Sequence, residues 1–575
     1  MIVLVRQADK TDGAGRRESR YEMDQASYAQ LAELLFPHID QTPEELERAF
    51  PPRELEAGAK VTRIGPSPTG FVHLGNLYNA VIGERLAHQS GGVFILRVED
   101  TDAKREVAGA VETLLSMMDF FGVPFDEGVL LNGAGVPEER GAYGPYRQRQ
   151  RKEIYQTVAK ALVQRGRAYP CFCTEEELAA LRETQQAQKL NFGYYGPFAK
   201  CRDLSLAEIR QRLEEGRPWV LRYKSLGDPE KRVPVTDAVR GVLEVQENDQ
   251  DLVLLKSDGI PTYHFAHVVD DHLMRVTHVV RGEEWLATLP MHVQLFDELG
   301  WERPLYCHTA QLMKMDGEVK RKLSKRKDPE LALEYYRADG YLPQAVWEYL
   351  LTVLNSNFEE WRLADPEADR LSFPFTTEKM STSGALFDLV KLEDISKEVL
   401  WRMEAEEVCA GLRDWCRVYD PAFAALLERD ADFACRAIDL GRHDARPRKD
   451  LVTWKQARDF LSFYYDETFR QEDPFPERTD AAARAEIVRS YLAAVDYRDD
   501  NEAWFDKVRQ LCGELGYAAR PKDYKKHPED YRGSVVDVSN TLRVALTGRS
   551  NSPDLWQISR LLGEDTCRRR LEKLL

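Results

Sequence analysis

The chain has 575 residues, 43% hydrophobic and 31% charged, which is too long for one hydrophobic core and fits several globular domains. Its formal net charge of −17 argues against non-specific nucleic-acid binding, so any such contact must come from local basic patches. No apolar run reaches membrane-spanning length, and nine scattered cysteines do not resemble a secreted disulfide framework, so a cytoplasmic protein with no membrane partner is expected.

Residues 1–22 are polar and glycine-containing and are expected to lack fixed structure. One or two short helices are expected within 26–58, the second with Pro43 in its first turn. From residue 60 the pattern changes. Val61–Ile64 alternates as a strand, Gly65–Gly70 is turn-rich, and Leu74, Leu77, Tyr78, Val81, Ile82 and Leu86 recur at helical spacing. Gly91-Gly92 ends that helix, and Val93–Val98 reads as a buried strand. Strand, helix, strand is the unit of a parallel, doubly wound α/β sheet of Rossmann type. The same period returns with strands at Leu252–Leu255 and Val276–Val280 and helices at Pro261–Met274 and Trp285–Leu299. The stretch 166–250 breaks the period, and beyond about 330 the pattern is helical. The expected domains are an N-terminal extension (1–58), a catalytic domain in two halves (59–165 and 251–315), an inserted α/β domain (166–250), a helical domain carrying a lysine loop (316–395), and an all-helical C-terminal domain (396–575).

Two segments carry chemistry. Pro66-Ser-Pro-Thr-Gly-Phe-Val-His73-Leu-Gly75-Asn76 sets His73 where a strand gives way to a helix, whose free N–H groups can hold phosphate. Gly75 lets a nucleotide approach, and an imidazole there can donate to a phosphate oxygen as charge grows. Read alone, His-x-Gly is better explained as a turn with a structural histidine. The second segment, Lys322-Leu-Ser-Lys325-Arg326, offers two ammonium groups that can offset charge on a departing pyrophosphate, or simply a basic surface loop.

Together the two segments resemble the ATP motifs of class I aminoacyl-tRNA synthetases, in particular bacterial-type glutamyl-tRNA synthetases. The resemblance extends through Arg63, Leu96-Arg-Val-Glu-Asp-Thr-Asp102, Leu254–Tyr263, Val269-Asp-Asp-His-Leu-Met274, Arg281-Gly-Glu-Glu-Trp285 and, more weakly, Leu542–Arg549. It implies glutamate–tRNA ligation, with ATP and Mg²⁺, L-glutamate and tRNA as partners and a monomeric chain. It assigns Arg63, Arg281, Tyr263 and His267 to the glutamate side chain, and Ser67 and Glu99 to its ammonium. His73, Gly75, Glu284, Trp285 and Lys325 fall to ATP, with His73, Lys322 and Lys325 catalytic. It also links Cys171, Cys173 and Cys201 to a zinc site whose fourth ligand is open between Asp203 and Tyr195; paired buried cysteines in a strand are the alternative. Gly65, His267 and Asn76 depart from the usual pattern. Two rivals are a small-molecule adenylyltransferase, disfavoured by the long helical stretch after Lys325, and a non-catalytic relative, disfavoured by the intact motifs. Charging of glutamine tRNA as well is left open, and Trp454 beside Arg448, Lys449 and Lys455 is a candidate base-stacking patch against a core role.

Overall fold

A computed structural model describes residues 23–68, 70–444 and 447–575, so the expectation for residues 1–22 lies outside the described residues. The chain forms two compact units, one running to Leu323 and adding Leu351–Leu386, the other made of Ser324–Leu350 and Phe387–Leu575.

The first unit opens with two helices, α1 (Gln25–Leu35) and α2 (Pro43–Ala49). A reciprocal cap starts α2: Glu45 N–H donates to the Thr42 hydroxyl at 3.3 Å and Thr42 N–H to the Glu45 carboxylate at 3.0 Å. Glu47 on α2 pairs with His272 and Arg275, each at 2.6 Å, which fastens the extension to a segment far along the chain.

The sheet follows with β1 (Val61–Ile64), α3 (Leu74–His88), β2 (Val93–Leu96), α4 (Ala110–Phe120) and β3 (Glu127–Leu131). These three strands run parallel in the order β1-β2-β3, and β4 (Pro137–Arg140) returns antiparallel at the edge. Helix α3 is buried on almost every face, with one side packed on β1 and β2. Its Gly83 is required there: a Cβ would stand 2.7 Å from the Phe94 ring of β2.

After α5 (Lys152–Gln164) come β5 (Ala168–Cys171), α6 (Glu175–Ala187), α7 (Leu206–Glu214), β6 (Val220–Tyr223), the hairpin β7 (Arg232–Asp237) and β8 (Gly241–Gln246), and β9 (Val253–Leu255). Here the sequence expectation fails. The strand at 252–255 was expected in the parallel sheet, but β9 pairs antiparallel with β6, which pairs antiparallel with β5. Its apolar run suits either setting, and β6 supplies the partner backbone groups. Conversely, β7 lies within the stretch expected to be inserted, yet it pairs parallel with a later strand through Asp237 and Tyr306.

The parallel pattern resumes with α8 (Tyr263–Leu273), β10 (His278–Gly282), α9 (Leu289–Leu299) and β11 (Leu305–Thr309), with β10 and β11 parallel. Thr277 N–H donates to Val61 O at 2.9 Å and Val61 N–H to the Thr277 hydroxyl at 2.8 Å, so β10 starts beside β1. The chain therefore winds one way from β1 to β2 and β3, and the other way to β10 and β11. That reversal is the topological switch point, where ligands of such sheets bind beyond the strand ends. The hairpin β12 (Leu312–Asp316) and β13 (Val319–Lys322) follows.

The second unit is helical, with no strand among its described residues. Val408, Leu412, Leu461, Val488, Leu542 and Ile558 sit in its core. Trp454 belongs to that packing: added Cβ atoms on Gly340 and Gly411 would stand 2.6 Å and 2.5 Å from it. This close fit favours the core role over base stacking. No described helix is long and apolar enough to cross a membrane.

Candidate active site

Three arginines gather around the switch point. Arg63 lies on β1, Arg97 follows β2, and Arg281 lies on β10; their exposures are 4%, 0% and 4%. Buried guanidinium groups are costly unless paired. The last turn of α8 supplies the partners. Asp271 accepts from Arg63 at 3.2 Å and from Arg97 at 2.6 Å. Asp270, the preceding residue, lies 3.7 Å from Arg97 and accepts from Gln148 at 2.9 Å, Arg151 at 2.6 Å and the Tyr155 hydroxyl at 2.8 Å. Arg97 also donates to Glu99 at 2.9 Å. Arg63, Arg97 and Arg151 are thus balanced by Asp270, Asp271 and Glu99. Burial pushes the Asp271 carboxyl up, but Arg63 and Arg97 more than offset this and hold it well below its ordinary value. Burial dominates at Glu99 and raises it despite Arg97 and Arg63.

His267 completes this cluster. It is fully buried, with Nδ1 2.7 Å from Asp271 and Nε2 3.2 Å from the Tyr306 hydroxyl. Both ring nitrogens are therefore engaged inside the protein. Burial pulls the imidazole down to about 4, against the opposing effect of Asp271. Tyr263 stacks between His267, at 5.9 Å and 7°, and Trp285, at 4.4 Å.

Arg281 has different neighbours. Its Nε donates to His308 Nε2 and its Nη1 meets His292 Nδ1, both at 3.0 Å, and its guanidinium lies 4.6 Å from the Tyr306 ring centre. Its Nη2 is buried and has no hydrogen-bond partner among the described residues. Arg63 Nη1 donates to Val280 O at 3.4 Å, one residue before Arg281, which sets the two strands side by side here.

On the nucleotide side, the loop after β1 is stitched to the segment after β2. Glu99 N–H donates to Pro66 O at 3.0 Å and Val107 N–H to Pro68 O at 2.9 Å, and Ser67 between the two prolines is exposed. Gly65 explains itself here: a Cβ would fall 2.1 Å from a Glu99 carboxylate oxygen. His73 is the residue before α3, with extended backbone, and Asn76 Oδ1 accepts its N–H at 3.0 Å. The Asn76 variant is thus a helix cap. A Cβ on Gly75 would stand 3.0 Å from the His73 ring. Glu284 is exposed and Trp285 half-buried, on a short 3₁₀ turn after β10. Lys322 is exposed at the end of β13, in the first unit, and Lys325 is exposed in the second.

The three cysteines come together in the inserted region. Their sulfurs lie within 4.8 Å of one another, with Cys173 and Cys201 at 3.7 Å. Buried Tyr194 turns its hydroxyl into the group, 3.4 Å from Cys171 Sγ and 3.3 Å from Cys173 Sγ. Cys201 N–H donates to that hydroxyl at 3.0 Å and Phe172 N–H to Cys201 Sγ at 3.4 Å. A tetrahedral zinc with bonds of about 2.3 Å to sulfur sets neighbouring sulfurs roughly 3.8 Å apart. The donor set fits that spacing, with Tyr194 on the fourth side. The two candidates from sequence fit less well: Tyr195 donates its hydroxyl to Asn191 O at 2.7 Å, and Asp203 lies 4.0 Å from Lys224.

Sequence reasoning placed Arg97, Asp270 and Asp271 within matching motifs without giving them a role, and passed over His292, His308 and Asp237. A signal existed for the two aspartates, because Val268-Val269-Asp270-Asp271 puts charge on the buried face of a helix. Nothing local singles out His292 or His308.

The chain matches known proteins along most of its length. Residues 60–394 match the family of class I tRNA synthetases (E and Q), catalytic domain, and residues 529–575 match an anticodon binding domain. A glutamate–tRNA ligase of Acetivibrio thermocellus is 55% identical over 95% of this chain and 100% of its own length. One from Sorangium cellulosum is 45% identical over 93% of this chain and 98% of its own. The crystal structure of a glutamate tRNA ligase from Elizabethkingia meningosepticum in complex with its amino acid aligns with a TM-score of 0.69 at 26% identity, covering 90% of this chain and 99% of that one.

Proposed function

The chain belongs to the class I tRNA synthetases for glutamate and glutamine, and from that membership we propose that it activates L-glutamate with ATP and transfers it to tRNA(Glu). The observation that carries the choice of glutamate is the buried Arg281 guanidinium, beside Arg63 at the switch point, with Nη2 unpartnered and no ion pair among the described residues. A side-chain carboxylate satisfies that group, and a neutral amide leaves its buried charge uncompensated.

In the first step a glutamate α-carboxylate oxygen attacks the α-phosphorus of ATP, the bond to the bridging oxygen breaks, and pyrophosphate leaves. In the second, a ribose hydroxyl of the terminal adenosine attacks the adenylate carbonyl and AMP departs. The protein's part is positioning and charge stabilisation. Glu99 and Ser67 hold the α-ammonium, and Arg63, Arg281 and Tyr263 hold the side chain. His73 and the start of α3 meet the phosphates, and Gly75, Glu284 and Trp285 receive the nucleotide. Lys322 and Lys325 oppose the charge of the leaving pyrophosphate. Mg²⁺ accompanies ATP and adds positive charge at its phosphates. His267, with both nitrogens engaged, shapes the pocket through Tyr263.

Residues 166–250 take the acceptor end of the tRNA and 396–575 its anticodon, the latter role supported by the match over 529–575. Cys171, Cys173 and Cys201 hold a structural zinc with Tyr194 as fourth donor, supported by the sulfur–sulfur and sulfur–oxygen spacing.

Amino-acid-dependent ATP–pyrophosphate exchange, followed by charging of glutamate and glutamine tRNAs, tests the reading. Glutamate-dependent exchange with charging of tRNA(Glu) is expected. A preference for glutamine, or charging of neither tRNA, overturns it.

A further inference from the structure

We propose that His292 and His308 are positioning residues that hold Arg281 through neutral imidazole acceptors, so that its charge is left for the substrate's side-chain carboxylate. The inference deepens the reading above and rests on it.

The protonation pattern follows from donors and acceptors alone. Every Arg281 nitrogen carries only donating hydrogens, so the ring nitrogen facing it must accept. His308 Nε2 is that acceptor at 3.0 Å. Its other nitrogen, Nδ1, lies 2.7 Å from Asp237, which also takes the His308 backbone N–H at 3.1 Å. Asp237 thereby fixes the tautomer with hydrogen on Nδ1. His292 obeys the same rule. Nδ1 faces Arg281 at 3.0 Å, so Nε2 carries hydrogen and donates to His264 Nδ1 at 3.0 Å. An imidazolium at either position would set donor against donor. Burial, with Arg281 close by, also holds both rings below the ordinary imidazole value.

The contrast with Arg63 gives the arrangement its meaning. Arg63 touches a carboxylate directly, at 3.2 Å. Arg281 has no ion pair among the described residues; Asp237 is kept one imidazole away, and Nη2 is buried without a partner. Two neutral acceptors fix the plane of the guanidinium without cancelling its charge. A carboxylate in either place would fix it equally well and would compete with the substrate. The buried, underpaired cation is then satisfied by an anionic side chain and left wanting by an amide.

The test is steady-state exchange kinetics on the full chain, with KM for glutamate and for ATP measured separately. His308→Leu and His292→Leu are expected to raise the glutamate KM ~10–100-fold, the usual weight of hydrogen bonds to a charged group, with the ATP KM within about 2-fold. His308→Gln and His292→Asn, which keep a neutral acceptor at the matching atom, are expected to restore the glutamate KM to within ~3-fold of the parent. His308→Glu, which supplies an internal carboxylate, is expected to raise the glutamate KM at least as far as leucine and to narrow the preference for glutamate over glutamine. An unchanged glutamate KM in the leucine variants, an equal rise in both KM values, or full retention of selectivity in His308→Glu overturns the inference. Should the leucine variants fail to fold, the glutamine, asparagine and glutamate variants decide it. Absence of glutamate-dependent exchange in the parent chain overturns the underlying reading instead.

Discussion

The charged cluster at the switch point and the thiol cluster of the inserted region answer the cost of burial in opposite ways. The first balances its own charge: Arg63, Arg97 and Arg151 meet Asp270, Asp271 and Glu99, so no ligand is needed for neutrality. The second brings three thiols and a phenol together, with Arg212 3.9 Å from Cys201 and the Arg222 guanidinium 4.1 Å from the Tyr194 ring centre as nearby cations. Ionised, it calls for a metal. The clusters also differ in how they are assembled. The first joins residues up to 208 positions apart, whereas the thiols fall within 28 to 30 positions, between Cys171 and Cys201. A self-sufficient cluster fixes the scaffold, and an incomplete one waits for an external partner. Arg281, held by neutral imidazoles, is the point where the active site takes on the second character.

The largest effect is expected from breaking the self-neutral cluster. Asp271→Asn leaves Arg63 and Arg97 short of a countercharge and is expected to cost about 3–5 kcal/mol of folding stability. Urea denaturation reads this, and a loss below about 1 kcal/mol would show that the cluster is not the balanced unit described. Next comes the incomplete cluster. Cys173→Ser is expected to abolish stoichiometric zinc in purified protein, and Tyr194→Phe to weaken retention against a chelator ~10–100-fold, by analogy with other altered zinc environments. Metal analysis that finds no zinc in the parent chain would remove the assignment.

A smaller effect concerns pH. His267 titrates at about 4 in the fold but near 6.5 in an unfolded chain. Between those values the unfolded state binds more protons, so this contribution is full above about 6.5 and is lost as pH falls toward 4. The slope of stability against pH in that window is expected to flatten in His267→Asn; an unchanged slope would place the neutral histidine elsewhere. Smallest is Gly65→Ala. The added methyl must displace the Glu99 carboxylate, the flexible end of a side chain. A few-fold rise in glutamate KM is expected, of the order of 1 kcal/mol or less, with stability nearly unchanged.

Much of the site was legible because its motifs are local. The strand at Val61–Ile64, the helix start at His73 and the paired lysines follow from period and spacing within a few residues. Gly65 and Asn76 looked like blemishes in a pattern and proved to have geometric causes, one a close approach and the other a cap. The strand at Val253–Leu255 was misplaced, because an apolar run of three residues carries no mark of which neighbour it will pair with. Tyr194 was passed over for Tyr195, since adjacent residues point to different sides and only the fold decides which side holds the thiols.

The sequence by itself determined the reaction class and the residues that carry charge to it, since phosphate-binding turns, lysine loops and arginines keep their chemistry wherever they stand. Only the tertiary structure decided how those charges are compensated. Arg63 and Arg281 are the same side chain on neighbouring strands, yet one meets Asp271 and the other meets His292 and His308. Those partners come from α8, α9 and β11, distant along the chain, and their positions follow from the reversal of winding between β1 and β10. Compensation depends on distance and direction in space, and neither is written in spacing along a chain.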